Sequence, residues 1–478
     1  MKIGPTLTAR EMVEGFRKGT FSPVEMLDFL LKRIDVLDPV LNSFYLTSAQ
    51  EARRMAEASS SRWRRGEPLS QLDGVPTSIK DALSSVGHPS YRGSLAHSAD
   101  RQHFNVDAPT VARMREAGMV FLGKTTMPDF GIFASGLSSK HGITRNPWDL
   151  TKTPGGSSAG TAASIAAGLN PLAVGTDIVG SIRLPASFCG IFGFKPSQGR
   201  VPYHFPNSPS LVAGPMARSV DDAALLMNII SQPDSRDFSA LPFEHIRYDL
   251  VLSESVVSPR IGFIRDLGFG GLPDPEVIGS VSHAVEKLRG TGLRITDLDV
   301  SFSEDDLRAA ERFYKARARA ELVQFPEDRR KSASVLSEWS AEAEGQTAVD
   351  LYRDFNRLQS MRERTAALIA DFDFLILPSV HVPAFEADAP GLPHGRLFEP
   401  WINSFLFNLS EQPASSSPCG LTKAGLPIGL QIVGRRFADI DVFRLSKIVE
   451  DVFGWRKTLD EMTDNLPTRK EAPWVEKQ

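Results

Sequence analysis

Between Pro23 and Leu41 the apolar residues Leu27, Leu30, Leu31, Ile34 and Leu37 recur at helical spacing and form one stripe. Ahead of them, Ser22-Pro23-Val24-Glu25 supplies an N-cap serine, a proline at the first helical position and a glutamate three residues after the cap. That combination satisfies the orphan amides of a helix start. A second amphipathic helix is expected over Ala49 to Arg64. Residues 1–66 are therefore predicted to be an N-terminal helical layer, packed on a core that takes up residues 67–478.

From Leu72 the pattern changes. Met119-Val120-Phe121-Leu122 is a short apolar run ending at Gly123, a buried-strand signal, and Ala108 to Gly118 before it reads as a helix. Leu172 to Val174, Arg260 to Ile264 and Phe374 to Leu377 are similar strand candidates. Helical patterns intervene at Thr161 to Gly168, Val220 to Ile230 and Pro275 to Leu288. Alternation of this kind predicts an α/β sandwich around a largely buried sheet. Glu304 to Ala370 is helical and highly charged without linkers, so it is expected as an insertion over one sheet edge that walls a substrate pocket.

Composition narrows this little. With 478 residues, 41% hydrophobic and 23% charged, the chain suits one large α/β domain. A net charge of −4 gives no electrostatic case for nucleic acid or an anionic membrane surface. The uncharged run Thr153 to Thr176 is too rich in Gly, Ser and Thr, and too broken by Pro171, to cross a bilayer. Met1 to Gly19 carries Arg10, Glu11, Glu14 and Arg17 with no apolar core, unlike a leader, so a cytoplasmic location is expected. Cys189 and Cys419 lie in apolar contexts without CxxC or histidine neighbours, which favours buried reduced thiols over a zinc site. No metal and no cofactor are expected.

The chemistry concentrates in Thr153 to Ser197, where two clusters of small residues, each holding serine, flank a short alanine-rich helix. Small side chains let backbone amides approach a ligand closely. In Asp177-Ile178-Val179-Gly180-Ser181 successive amides can converge on one point, which suits an oxyanion hole beside a serine nucleophile. Close-packed turns would produce similar clusters. A phosphate loop lacks its GxxxxGK[ST]. Gly156-Ser157-Ser158-Ala159-Gly160 matches GxSxG, which would make Ser158 the nucleophile, but the preceding Asn146 to Pro154 reads as a loop rather than a strand. A serine nucleophile needs a base, and Lys80, at the end of the apolar segment Gly74 to Asp81, is the best candidate once burial lowers its pKa. The competing possibility is a surface lysine paired with Asp81.

At these residues the chain resembles the amidase-signature family. The matching blocks are GVPTSIKD around Lys80, GKTTMPDFG from Gly123, TRNPWD from Thr144, PGGSSAG, GTDIVGSIRLPASFCGIFGFKPSQGRVP, GPMARSVDD from Gly214, FNLSEQPASSSPCG and GLPIGLQIVGRRFAD, in that order. The resemblance implies a large mixed sheet with helices on both faces, and a Ser-Ser-Lys triad on Ser181, Ser157 and Lys80. It further implies a cis peptide between Gly156 and Ser157, with Ser157 bridging Lys80 to Ser181. The amides of Ile178, Val179, Gly180 and Ser181 would stabilise the oxyanion, Asp177 and Arg183 would brace the loop, and Ser158 would be a supporting neighbour. The implied activity is cleavage of carboxamides, aryl or alkyl amides and esters, through an acyl-enzyme; Phe130, Phe133 and His141 are candidate pocket residues.

Two departures qualify that transfer. Val179 and Ala159 stand where the family usually has glycine, and a β-branched residue disfavours positive φ, so the expectation at Val179 is either a strained or reshaped oxyanion loop, if that geometry is needed, or a narrowed acyl pocket. Within the family, the glutamine-hydrolysing A subunit of the tRNA-dependent amidotransferase usually reads TDTGGS where this chain has Thr176-Asp177-Ile178-Val179-Gly180-Ser181. Its tyrosine-rich approach to the NL-G-PA block is replaced by Phe405 to Ala414. A free-standing amidase acting on a small-molecule amide, with homodimerisation open, is therefore expected ahead of that amidotransferase component or a silent binding homologue.

Overall fold

The computed structural model describes residues 2–97, 104–204, 210–254, 256, 258–394 and 396–467. Its strands are β1 (Phe44–Thr47), β2 (Pro76–Lys80), β3 (Val120–Thr125), β4 (Leu137–Ser138), β5 (Gly142–Ile143), β6 (Leu172–Asp177), β7 (Phe192–Lys195), β8 (Val212–Ala217), β9 (Arg260–Phe263), β10 (Arg294–Asp297), β11 (Phe374–Pro378), β12 (Ala414–Leu421) and β13 (Pro427–Gly434). Eleven of them form one sheet in the order β1-β3-β2-β6-β8-β7-β12-β13-β11-β9-β10, and β4 and β5 pair separately. The sheet is mixed: β3, β2 and β6 run parallel, as do β11, β9 and β10, while the strands between them alternate.

Helices cover both faces. On β12, Ser415 Oγ lies 2.8 Å from Ser446 Oγ on the helix Asp439–Phe453. Ser416 points the other way: a Cβ at Gly429 would meet both Ser416 and Ser187, a residue of the helix Arg183–Cys189. Successive strand residues face opposite sides, so the two helices lie on opposite faces of the sheet.

The helix Pro23–Leu41 opens with the capping box Ser22/Glu25, and Ala49–Arg65 forms the second helix. The N-terminal segment is not helical throughout, however. Phe44–Thr47 adds β1 antiparallel to β3, at the sheet edge. Four residues between two strong helical patterns are too short to show a period of two. Glu304–Leu322 and Ala348–Leu368 are the long helices of the charged insertion, each opened by a capping box. No helix among the described residues is long and apolar enough to cross a membrane.

Candidate active site

Lys80 is the last residue of β2, paired with Thr125 of β3, and its neighbour Ile79 pairs with Val174 of β6. The carboxyl ends of parallel strands are where open α/β sheets gather ligands. β6 continues through Asp177 into the turn 178–182 and the helix Arg183–Cys189, which brings Ser181 to the same end. Ser157 and Ser158 arrive from the loop ahead of the helix Ala159–Ala166, and the Gly156–Ser157 peptide bond is cis. Gly156 has no room for a side chain, since a Cβ there would sit 2.3 Å from the Phe133 carbonyl.

The Lys80 amine is fully buried, with Nζ 2.9 Å from Ser157 Oγ, 2.9 Å from Ser158 Oγ and 2.8 Å from Thr176 Oγ1. No carboxylate among the described residues is within ion-pair distance of it. Asp81 is tied elsewhere: its carboxylate accepts the Tyr45 hydroxyl at 2.7 Å, the Tyr91 amide at 2.9 Å and the Gly93 amide at 2.8 Å. Lys80 is thus not a surface lysine paired with its neighbour. Burial drives its pKa down to about 7, against the opposing pull of Asp177 and Asp81. Ser158 Oγ donates to the Thr176 carbonyl at 3.4 Å, which leaves Ser157 as the serine hydroxyl free to pass a proton to Lys80.

Ser181 is buried, and its Oγ has no hydrogen-bond partner among the described residues. The expected hydrogen bond from Ser181 to Ser157 is therefore not formed, although both serines line one cavity. Ser158 lies outside that lining, fully buried between Lys80 and Thr176, in a poor position for the nucleophile that GxSxG suggested. The cavity volume is about 30 Å³, room for a water or two, so a substrate must move part of its wall.

The loop before Ser181 is organised by Asp177. Its carboxylate accepts the Gly180 amide at 2.7 Å and the Ile182 amide at 3.1 Å, and takes Arg183 Nε and Nη2 at 3.1 and 3.0 Å. Arg183 and Asp177 are both fully buried, and the guanidinium also reaches Ser404 O, Asn408 and Gln431 Oε1. Burial opposes ionisation of Asp177, but the Arg183 charge and hydrogen bonds hold its pKa at about 2. The Gly180 amide is thereby committed to Asp177 and is not open to an oxyanion. The amides of Ile178, Val179 and Ser181 have no acceptor among the described residues.

Val179 does not carry the strain expected of it. It is absent from the positive-φ residues, and Gly180 takes that conformation instead, with φ 134°. A Cβ at Gly180 would stand 2.1 Å from Ser404 Oγ, so this position needs glycine for space as well. Of the three pocket candidates, only Phe130 lines the cavity. Phe133 is core, and His141 stacks on Tyr45 at 4.3 Å with Nε2 3.5 Å from Asp81, belonging to that carboxylate's surroundings. Sequence reasoning missed Thr176, which the block Gly175-Thr176-Asp177 held in view. It also missed Arg92 and Arg317, which line the cavity from distant parts of the chain and carry no local signal. No group of three or more metal-ligating side chains occurs among the described residues.

An eleven-stranded mixed sheet thus gathers a buried lysine and two serines at its parallel strand ends. The model of the Amidase family matches residues 25–443, and the chain belongs to that family. It is 34% identical to the A subunit of the glutamyl-tRNA(Gln) amidotransferase of Anaeromyxobacter sp. (strain K), over 94% of this chain and 96% of that one. Among solved structures it is similar to a bacterial aryl acylamidase of the amidase-signature family, with a TM-score of 0.87, 29% identity, and 96% and 99% of the two chains covered. The 6-aminohexanoate cyclic dimer hydrolase in complex with its substrate superposes with a TM-score of 0.86 at 27% identity, covering 95% and 98%.

Proposed function

We propose that the chain hydrolyses the C–N bond of carboxamides through an acyl-enzyme, with Ser181 as nucleophile, Ser157 as proton relay and Lys80 as base. The observation that carries this is the buried Lys80 amine 2.9 Å from Ser157 Oγ, beside a Ser181 hydroxyl left without a partner. Neutral Lys80 takes the Ser157 proton while Ser157 takes that of Ser181, whose Oγ attacks the carbonyl carbon. Open amides of Ile178, Val179 and Ser181 receive the oxyanion. The proton returns through Ser157 to the leaving nitrogen, and water then attacks the acyl-Ser181 ester by the same relay. Two buried, unpaired cysteines support a reducing, cytoplasmic setting for this chemistry.

Two substrate classes follow from different comparisons. The 34% identity to an amidotransferase A subunit supports the glutamine-hydrolysing reading and is the stronger sequence likeness. The TM-score of 0.87 to an aryl acylamidase supports simple aryl amides, as does Ile178-Val179 in place of Thr-Gly. The deciding experiment measures ammonia from glutamine and aniline from acyl anilides, without added partner proteins, alongside fluorophosphonate labelling of Ser181. Absence of both hydrolysis and labelling at Ser181 would overturn this amidase chemistry.

A further inference from the structure

The cavity shared by Ser157 and Ser181 has a charged wall. Arg92 and Arg317 line it, and their guanidinium groups share one carboxylate: Arg92 Nη1 lies 2.6 Å from Glu321 Oε2, and Arg317 Nη2 lies 2.9 Å from Glu321 Oε1. All three side chains are 17% exposed. Burial pushes the Glu321 carboxyl up, but the Arg92 and Arg317 charges more than compensate, so it stays ionised. Among the described residues, His97 and Tyr203 beside this wall add no charge near pH 7. His97, 5.4 Å from the Phe130 ring, is driven down to about 4 by burial and by Arg92, and burial raises Tyr203 to about 12.

Among the described residues that line this cavity or pair with its lining, two cations share one anion. A guanidinium has five donors. Among the described residues Arg317 makes one hydrogen bond, to Glu321, and Arg92 has that ion pair and a face contact on the Phe130 ring at 5.2 Å. A bracing ion pair needs one arginine. The second, facing a cavity that already holds the reacting serines, is surplus to bracing and matches a planar oxyanion.

We propose that Arg92 and Arg317 form a subsite for a carboxylate on the substrate, selecting amides that bear one, and that Glu321 occupies it until substrate displaces it. Glu321 then acts as an internal competitor, and its displacement opens a cavity too small for any amide as it stands. The proposal rests on Ser181 being the nucleophile. Its chemistry covers both a glutamine-type primary amide and a carboxylated anilide, which the released amine tells apart.

The test compares kcat/KM for succinanilic acid with butyranilide, and for glutamine with butyramide, in the full-length wild type and in Arg317→Gln, Arg317→Lys and Glu321→Gln. Wild type is expected to favour the carboxylated member of one pair at least tenfold. Arg317→Gln should lower that ratio at least tenfold, and Arg317→Lys should restore part of it. Glu321→Gln should lower KM for the carboxylated amide several-fold, the opposite of what loss of a structural ion pair would do. A wild-type ratio near one, or parallel losses on both members in Arg317→Gln and Glu321→Gln, overturns the subsite while fluorophosphonate labelling of Ser181 persists. Absence of that labelling overturns the nucleophile and the subsite together.

Discussion

Three hydroxyl oxygens surround the Lys80 amine, and no carboxylate among the described residues is within ion-pair distance, so deprotonation breaks no ion pair there and relieves a buried charge. The activity should therefore fall on the acid side with an apparent pKa of about 7, as Lys80 becomes protonated. A pH profile of kcat/KM on an uncharged anilide checks this; a flat profile from pH 6 to 8 would exclude Lys80 as the base. Ser181→Ala should lower kcat on the order of 10⁴-fold or more. Its melting temperature should stay that of the wild type, because Ser181 Oγ makes no hydrogen bond among the described residues. Gly180→Ala should destabilise the fold by about 1–3 kcal/mol in urea unfolding, since the added Cβ meets Ser404 at φ 134°. Much of this site was visible in the residue string, because Lys80, Ser157 and Ser181 sit in blocks of small residues whose order is distinctive. Which glycine the turn depends on was not visible. That is decided by Ser404, more than two hundred residues away, and Val179 proved conformationally ordinary.

At the level of elements, the start of the helix Pro23–Leu41 was legible, because its cap is written in four consecutive residues, Ser22 to Glu25. Strands β12 and β13 were not legible. Ala414-Ser-Ser-Ser-Pro418 has low strand propensity, and the hydroxyls of Ser415 and Ser416 there meet those of Ser446 and Ser379 on neighbouring elements. One cap is long-range. Asp222 accepts the Ala9 amide at 2.8 Å and the Arg10 amide at 3.3 Å, fastening the helix Ala9–Lys18 to the helix Val220–Ile230. Burial raises the Asp222 pKa from 3.8 to about 7. The folded state thus binds the extra proton between those values, and stability should decline as pH rises through that window. Thermal unfolding of wild type and Asp222→Asn between pH 4 and 7 tests this; the variant should lose the Asp222 share of the slope.

Across the whole molecule, strands late in the given sequence lie at the centre of the sheet. β12 and β13 lie between β7 on one side and β11 on the other, so the chain's last hairpin fills the middle of the sheet. Both cysteines are sealed within this arrangement. Burial puts the Cys419 thiol at about 12 and raises Cys189 as well. Iodoacetamide should leave both unmodified in the native protein and alkylate both in denaturant, as counted by intact mass.

That hairpin also sets an order in time. Arg183 fixes the Asp177 loop by reaching Asn408 and Gln431, and Gln431 lies on β13 itself. A ribosome that has already made Lys80, Ser157 and Ser181 has still not made the side chains that hold the Ser181 turn. A chain cut before β12 should therefore lack the Gln431 contact that helps hold the Ser181 turn, and should release no amine in an assay that the full chain passes.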